Sequence, residues 1–418
     1  MRYGLIGEKL GHSFSKDIHE RLSDYTYDLI PLSQDQFTIF MQERNFNAIN
    51  VTIPYKKAVL PYLDELDDSA KKIGAVNTIV HRNGKLIGYN TDYYGFDYML
   101  KKHNVNLKDK KVIILGNGGA SAAIQAVISS YPIQTMIIVN RTTSNHIISY
   151  EECYEHHRDA HIMINTTPVG MYPNNDGTPI DISPFSQLEC VIDLIYNPLY
   201  TNLCVQAKSR NLLCIGGLEM LIAQAKYAVE HFKQISISDD VIDDIYRDML
   251  KQRVNIALIG MPSCGKSTIA KELQKHLPHQ LIELDAEIVK QTQMSIPQIF
   301  ETLQEEGFRT IESNVCKSFA IKNGQLISTG GGIIKKEINM RYLQQNSMII
   351  YLDRDFNNLI YHDQNRPLSS SKEAVSKLYQ ERHPLYLQYC DVHIHNNDSL
   401  AIAIQAILDA YQKFIQNM

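Results

Sequence analysis

Short runs of aliphatic and β-branched residues alternate along most of this chain with stretches of helical apolar spacing, the pattern of parallel α/β domains. Lys111 to Leu115, Thr135 to Val139, Val191 to Leu194, Val254 to Ile259 and Met348 to Leu352 predict buried strands. Two of these lead straight into glycine turns: Leu115 into Gly116-Asn117-Gly118-Gly119, and Ile259 into Gly260-Met261-Pro262-Ser263-Cys264-Gly265-Lys266-Ser267. A strand, a glycine turn and a helix, met twice, predict two separate nucleotide sites. Ser238 to Gln252 has helical spacing, with Val241, Ile242, Ile245, Met249 and Leu250 as its stripe. The last element, Ser399 to Ile415, puts Leu400, Ile404, Ile407, Leu408 and Tyr411 on one face behind an Asp398 or Ser399 cap, and reads as a packing helix.

A length of 418 residues suggests two to three domains at about 150 residues each. The main boundary is expected near Gln252, where the helix ends and the second glycine-turn strand begins, giving 1–252 and 253–418 with almost no linker. The 41 basic and 46 acidic residues leave a formal charge of −5, a poor balance for electrostatic nucleic-acid binding. Composition is that of an ordinary globular protein, and no internal repeat or low-complexity run interrupts it. Seven cysteines, an odd number without C-x-x-C, are expected to be free thiols in a reducing compartment. No apolar run approaches the roughly 20 residues of a membrane span. The first eight residues, ending in Glu8, meet a charge too soon for a signal-peptide core. The expected location is therefore the cytoplasm, with no membrane and no nucleic acid as partner.

Gly260 to Ser267 fits G-x-x-x-x-G-K-S in the right setting. Backbone N–H groups would surround nucleotide phosphates, Lys266 would place a charge at the β/γ-phosphates, and Ser267 could ligate Mg²⁺. Downstream stand Asp285 after an apolar run, Glu306-Gly307-Phe308-Arg309 with Glu312, Gly330-Gly331-Gly332, Asn365-Arg366-Pro367, and Arg382. In this order the residues from Arg253 to Met418 resemble shikimate kinase. The resemblance implies a three-layer P-loop domain with a parallel sheet, using ATP and Mg²⁺. It assigns Ser263, Cys264, Gly265, Lys266, Ser267, Thr268 and the lid residue Arg366 to ATP, with Ser267 on the metal. Asp285 becomes the base at the acceptor hydroxyl, while Arg309, Arg382, Gly331 and Gly332 hold the substrate. Guanidinium clamps suit a small carboxylate, and phosphoryl transfer rests on positioning and charge. Two positions depart from the family: Glu283 stands where aspartate is usual, and Ser263 replaces a loop glycine.

The first part carries Gly11-His12-Ser13-Phe14-Ser15, Asn50-Val51-Thr52-Ile53-Pro54-Tyr55-Lys56, Gly74-Ala75-Val76-Asn77-Thr78, Gly88-Tyr89-Asn90-Thr91-Asp92, Asp193 to Pro198 and Gly217 to Ala225. After Thr135 to Val139 comes Asn140-Arg141-Thr142, an arginine where an NAD enzyme would place a ribose-reading acid, so the cofactor reading is NADP. These motifs resemble shikimate dehydrogenase over Met1 to about Gln252. The resemblance implies a substrate region at 1–92 plus 218–252 and a Rossmann-like NADP(H) region at 93–217. Ser13 and Ser15 would take the substrate carboxylate, and Thr52, Asn77, Asp92 and Gln224 the ring hydroxyls, with Tyr196 nearby. Lys56 would be the acid/base beside Asp92, since interconverting an alcohol and a ketone needs a proton donor next to the hydride acceptor. Gly116, Asn117, Gly118, Gly119, Ala120, Ser121, Asn140, Arg141, Thr142 and Gly217 would line the cofactor. The family usually has a second basic residue where this chain has Asn145, so weakened discrimination against NADH is expected.

Together the two resemblances name one intermediate, shikimate, as product of the first part and substrate of the second. The alternatives are quinate oxidation, another polyol acid as kinase substrate, or one part acting as an inactive scaffold. Cys153, His156, His157 and His161 lack regular ligand spacing and read as no metal site. His393 and His395 alternate on a short strand and are expected to face outward.

Overall fold

The computed structural model describes residues 2–11, 14–359 and 372–418. It divides into two compact units, Met1–Asn197 with Thr201–Tyr246, and Pro198–Tyr200 with Arg247–Met418.

The first unit contains two sheets. In the first, β1 (Tyr3–Gly7), β2 (Tyr27–Pro31), β3 (Ala48–Val51), β4 (Glu65–Leu66), β5 (Thr78–Arg82) and β6 (Lys85–Tyr89) line up as β2-β1-β3-β5-β6-β4. The sheet is mixed: β3–β5 and β5–β6 are antiparallel. The β5–β6 hairpin turns on Asn83 and Gly84, both with φ > 0 (53° and 77°), as a tight primed turn requires. The flanking helices are α1 (Ser15–Leu22), α2 (Gln34–Glu43), α3 (Asp68–Ile73) and α4 (Thr91–Lys102). Ser33 and Gln36 close a reciprocal capping box on α2.

In the second sheet β7 (Lys111–Leu115), β8 (Thr135–Val139), β9 (Ile147–Ile148), β10 (Ile162–Asn165), β11 (Cys190–Asp193) and β12 (Leu213–Gly216) are all parallel, in the order β12-β11-β10-β7-β8-β9. Numbered within the sheet this is 3-2-1-4-5-6, the doubly wound dinucleotide order, with its switch point at β7. β7 and β8 have the bounds that the apolar runs predict. β11 begins one residue before the predicted run, and Leu194 still donates to the Asn165 carbonyl (3.0 Å). Helices α5 (Gly119–Ile128), α6 (Tyr150–His156) and α7 (Asn202–Ser209) accompany the strands. The next helix, α8 (Leu218–Lys233), returns to the first sheet, where Ala228, Val229 and Phe232 join Leu5, Tyr27, Ala48 and Val80 in one core. At its crossing with α4, a Cβ on Gly95 would lie 2.9 Å from both the Gln224 nitrogen and the Met220 carbonyl oxygen. Only glycine allows so close a backbone approach.

The expected boundary at Gln252 falls inside α9 (Asp240–Arg253), and the compact units divide earlier, at Tyr246. The reason lies in the first half of α9, where Asp243 pairs with Lys102 of α4, and in Asp239 just before it, which pairs with Lys226 of α8 (3.0 Å). These charges tie the start of α9 to the first unit.

The second unit has one parallel sheet, β14-β15-β13-β16-β17, from β13 (Asn255–Ile259), β14 (Gln280–Glu283), β15 (Gln325–Ser328), β16 (Ser347–Asp353) and β17 (Val392–His395). The sheet is flanked by α10 (Lys266–Leu273), α11 (Leu284–Thr292), α12 (Ile296–Ala320), α13 (Glu337–Gln344), α14 (Lys372–Tyr389) and α15 (Leu400–Asn417). The central strands β13 and β16 are buried throughout, as parallel strands covered on both faces should be. Ser399 caps α15 and accepts from the Ile402 nitrogen. The buried stripe of α15 runs through Ala403, Ile404, Ile407, Tyr411 and Ile415, whereas Leu400 is 39% exposed, because the cap turn carries it off the sheet.

All seven cysteines are free thiols. Among the described residues no helix is long and apolar enough to cross a membrane.

Candidate active sites

A cavity of about 620 Å³ opens in the first unit between the end of β3, the start of α4 and the start of α8. Ser15, Thr52, Lys56, Asn77, Asp92, Tyr196 and Gln224, which the sequence reading singles out, all line it. Ser13 lies outside the described residues. Lys56 Nζ donates to Asp92 Oδ2 at 2.5 Å, with both side chains more than four-fifths buried. Asp92 sits in the first turn of α4, where the helix dipole favours a carboxylate. Its other oxygen accepts from Asn77 Nδ2 (2.9 Å), which also reaches Thr91 Oγ1 (3.1 Å), while Asn77 Oδ1 accepts from the Thr91 nitrogen (2.7 Å). Thr91 Oγ1 in turn reaches Gln224 Oε1 (3.4 Å), so the close α4–α8 crossing brings the amide and the carboxylate to one wall.

A buried layer below this wall holds it in shape. Tyr27 OH donates to Asn50 Oδ1 (2.7 Å), and Asn50 Nδ2 donates to Thr78 Oγ1 (3.0 Å) and to the Asn77 carbonyl (3.2 Å). His19 stacks on Tyr27 at 4.0 Å, and burial lowers its pKa to about 3, so this imidazole is neutral filler. The sequence reading missed Asn50, Thr91 and Tyr27 as supports. Asn50 and Thr91 lie inside motifs it quotes, but nothing local marks the tyrosine.

The glycine turn after β7 lies at the same cavity. Ala120 lines it, and a Cβ on Gly119 would come within 3.9 Å of Lys56 Cδ. A Cβ on Gly118 would meet nothing within 4 Å, so the turn has open space above the N-terminus of α5. Asn117 Oδ1 accepts from Gln125 Nε2 (3.3 Å). Ser121 is fully buried and its hydroxyl donates to the Gly116 carbonyl (2.9 Å), so it staples the turn from behind. Asn140 donates to the Thr142 carbonyl (3.4 Å), with Arg141, Thr142 and Asn145 exposed beyond β8. Gly217 lines the cavity and caps α8. An open glycine turn at a helix N-terminus, with an exposed arginine after the next strand, fits a dinucleotide bearing a 2′-phosphate.

In the second unit β13 enters a loop from Gly260 to Gly265, which turns into α10 at Gly265 with φ +100°. Lys266 is buried and donates from Nζ to the carbonyls of Gly260 (2.9 Å) and Met261 (2.8 Å). Cys264 lies beneath it, Sγ 3.7 Å from Nζ, and its carbonyl accepts from Asn396 Nδ2 (2.7 Å). Ser267 and Thr268 are exposed in the first turn of α10. A helix N-terminus with a lysine held across its loop fits a nucleotide triphosphate. Glu283 pairs with Lys271 of α10 (3.6 Å), which sets the β14–α11 junction, with Asp285 in its first turn, against that helix. The hydroxyl and carboxylates are hard oxygen donors, the set that suits Mg²⁺.

Ser263, where the family has glycine, holds φ +63°. The left-handed region costs an L-residue about 1–2 kcal/mol, offset by glycine's extra entropy loss of roughly 0.5–1 kcal/mol. Ser263→Gly is therefore expected to leave the chain equally stable or up to about 1.5 kcal/mol more stable. The temperature at which kinase activity is lost checks this, and a clear drop would contradict it.

Beyond the loop, two arginines converge on the triple glycine. Arg309 is buried and donates from Nη1 to Glu312 Oε2 (2.7 Å), with Glu305 Oε1 at 3.3 Å from Nη2. Arg382, also buried, donates from Nη1 to the Gly331 carbonyl (3.0 Å), which Tyr386 OH bonds as well. The Arg309 guanidinium occupies the space a Cβ on Gly332 would need. A Cβ on Gly330 would lie 2.9 Å from Asp285 Oδ1 and 3.1 Å from Glu312 Oε1, so both carboxylates face that glycine. Burial pushes the Glu312 carboxyl above its ordinary value; Arg309 opposes this and the Asp285 charge adds to it. Glu312 Oε1 and Arg382 Nε are buried without a hydrogen-bond partner, an unmet polar demand that a polar ligand there would meet. Sequence reading quotes Glu312 but gives it no role, although its i, i+3 spacing from Arg309 is the available signal. Arg366 lies outside the described residues.

The family model described as Shikimate kinase matches residues 262–415, and that described as Shikimate dehydrogenase substrate binding domain matches residues 5–79. Shikimate dehydrogenase (NADP(+)) of Clostridium beijerinckii is 38% identical over 261 residues, which is 58% of this chain and 96% of the relative. This chain belongs to the shikimate dehydrogenase family. It also carries a shikimate kinase domain, so it is a fusion of the two families. The crystal structure of shikimate dehydrogenase 1 from Peptoclostridium difficile matches with 35% identity and a TM-score of 0.55, over 60% of this chain and 98% of that one. The Thermus thermophilus shikimate 5-dehydrogenase, solved with NADP(H) and shikimate, matches with 27% identity and a TM-score of 0.53, over 58% and 97%. Both nucleotide folds implied by the sequence resemblance are thus present, the dehydrogenase with its Rossmann-type sheet and the kinase with its P-loop.

Proposed function

We propose that this chain catalyses two consecutive steps, reduction of 3-dehydroshikimate to shikimate with NADPH and phosphorylation of shikimate by ATP. The buried Lys56–Asp92 pair, in the one cavity that also holds Ser15, Thr52, Asn77, Tyr196 and Gln224, carries the reading. Bound NADPH would supply the hydride. Lys56 donates a proton to the ketone oxygen as it becomes the alcohol. Asp92, locked by Asn77, holds the ammonium in place and accepts from a ring hydroxyl, while Ser15 at the start of α1 takes the carboxylate.

In the kinase, Arg309 and Arg382 clamp the same carboxylate, Gly331 and Gly332 let the ring approach the backbone, and Asp285 accepts the hydroxyl proton. Ser267 would hold Mg²⁺, which would neutralise phosphate charge. Product identity by mass spectrometry tests both steps. The chain with 3-dehydroshikimate and NADPH should give shikimate, and adding ATP and Mg²⁺ should convert it to shikimate 3-phosphate. Shikimate that gains no phosphate would refute the kinase reading, and no reduction would refute the dehydrogenase reading.

The exposed turn at Arg141 supports NADP, and Asn145 leaves it one cation short. Preference for NADPH over NADH is expected to stay below about a hundredfold, or 2.7 kcal/mol. Asn145→Lys should raise it roughly two- to fivefold, the worth of one solvent-exposed charge contact of about 0.5–1 kcal/mol. The ratio of kcat/KM for the two cofactors checks both numbers.

A further inference from the structure

At the open edge of the kinase sheet, β17 presents two imidazoles to a carboxylate on its neighbour. The parallel register sets His393 opposite Tyr351 and His395 opposite Asp353. Period-two alternation puts all four side chains on one face. His393 Nε2 lies 3.0 Å from Asp353 Oδ2, and His395 Nδ1 lies 4.0 Å from the same oxygen. Among the described residues, one ligand atom from each of Asp353, His393 and His395 falls within 4.8 Å of the others. We propose that these three residues form a site for a divalent transition-metal cation such as Zn²⁺, separate from the Mg²⁺ that accompanies ATP.

The surroundings of the cluster suit ligation. Ligands around a tetrahedral zinc stand roughly 3.3 Å apart at bond lengths of about 2.0–2.1 Å, which small side-chain rotations would reach from here. Tyr351 OH donates to the other Asp353 oxygen (2.9 Å) and is itself 2.9 Å from His383 Nδ1, a second layer that orients the carboxylate. The Tyr351 ring stacks on His393 at 5.0 Å and 9°, which holds that imidazole in plane. His395 has a side chain 70% exposed, so the cluster opens to solvent and leaves room for water as a further ligand. Two imidazoles and one carboxylate favour zinc, nickel or copper over magnesium, which seeks oxygen alone. The next residue, Asn396, donates from its backbone to the Asp353 carbonyl (2.6 Å) and from Nδ2 to the Cys264 carbonyl in the phosphate loop. Cation binding would therefore brace the strand end that supports that loop.

Co²⁺ titration of the untagged full chain, followed by visible absorption with Zn²⁺ as competitor, tests the site. One equivalent should bind with the d–d bands of nitrogen and oxygen ligation and be displaced by Zn²⁺. His395→Ala, at an exposed side chain, should weaken binding at least tenfold, while Asp353→Asn should weaken it as well. Magnesium-supported kinase activity of His395→Ala, assayed without Co²⁺, reports that the variant is folded. No uptake by the wild type, equal affinity in His395→Ala, or a thiolate charge-transfer band that survives His395→Ala would each overturn the assignment.

Discussion

Replacing Lys56 by alanine is expected to lower kcat for ketone reduction about 10³-fold, within the usual range for loss of a positioned general acid. Binding of the substrate should change far less, because Ser15, Thr52, Asn77 and Gln224 remain on the cavity wall. The variant should fold. Asp92 loses the ammonium but keeps its bond from Asn77 and its place in the first turn of α4. Phosphorylation of added shikimate by the same sample is the internal control and should match the wild type. An equal fall in both activities would mean a folding defect, and retained reduction would remove Lys56 from the chemistry.

The second large effect is expected at Lys266. Its ammonium is tethered within the phosphate loop by the Gly260 and Met261 carbonyls, so the charge stays in the loop that would hold the phosphates. Removing one positioned charge of this kind usually costs about 10²–10³ in rate. Lys266→Ala should lose that much kinase kcat and leave reduction of 3-dehydroshikimate intact. Single-turnover phosphate transfer with saturating ATP separates this from weaker nucleotide binding. A change confined to KM for ATP would make Lys266 a binding group only.

Much of the architecture was legible because parallel strands buried on both faces are uninterrupted apolar runs. Lys111 to Leu115 therefore matches β7 to the residue; Thr135 to Val139 matches the bounds of β8 too, although only Val139 in it is fully buried and the other four are half-buried. The glycine turns and their following helices also came directly from the motif. The mixed first sheet was less visible, although the Asn83-Gly84 dipeptide between two β-rich segments is a hairpin signal. Spatial supports were hidden for a different reason. Tyr27 is 23 residues from Asn50, and Arg382 is 51 residues from Gly331, so only the folded chain shows that they bond. Ser263 is an intermediate case: its departure from glycine is plain in sequence, but the left-handed backbone behind that preference appears only in φ. His393 and His395 do lie toward solvent as alternation predicts, but their shared carboxylate, Asp353, stands on another strand, 40 residues before His393.

The crossing of α4 and α8 at Gly95 has a consequence for redesigning the dehydrogenase. The close approach of the α4 backbone at Gly95 to the Met220 carbonyl and to the nitrogen and Cβ of Gln224 sets the spacing of Asp92 and Gln224. The distance between the carboxylate and the amide on this wall is thus set mainly by backbone contact and little by which apolar residues fill the surrounding core. Gln224 and Thr52 can be varied in a library to accept altered ring substituents without retuning the packing. Gly95 is the position such a library must leave alone, since a single added methyl group would push α4 and α8 apart and alter every variant in it.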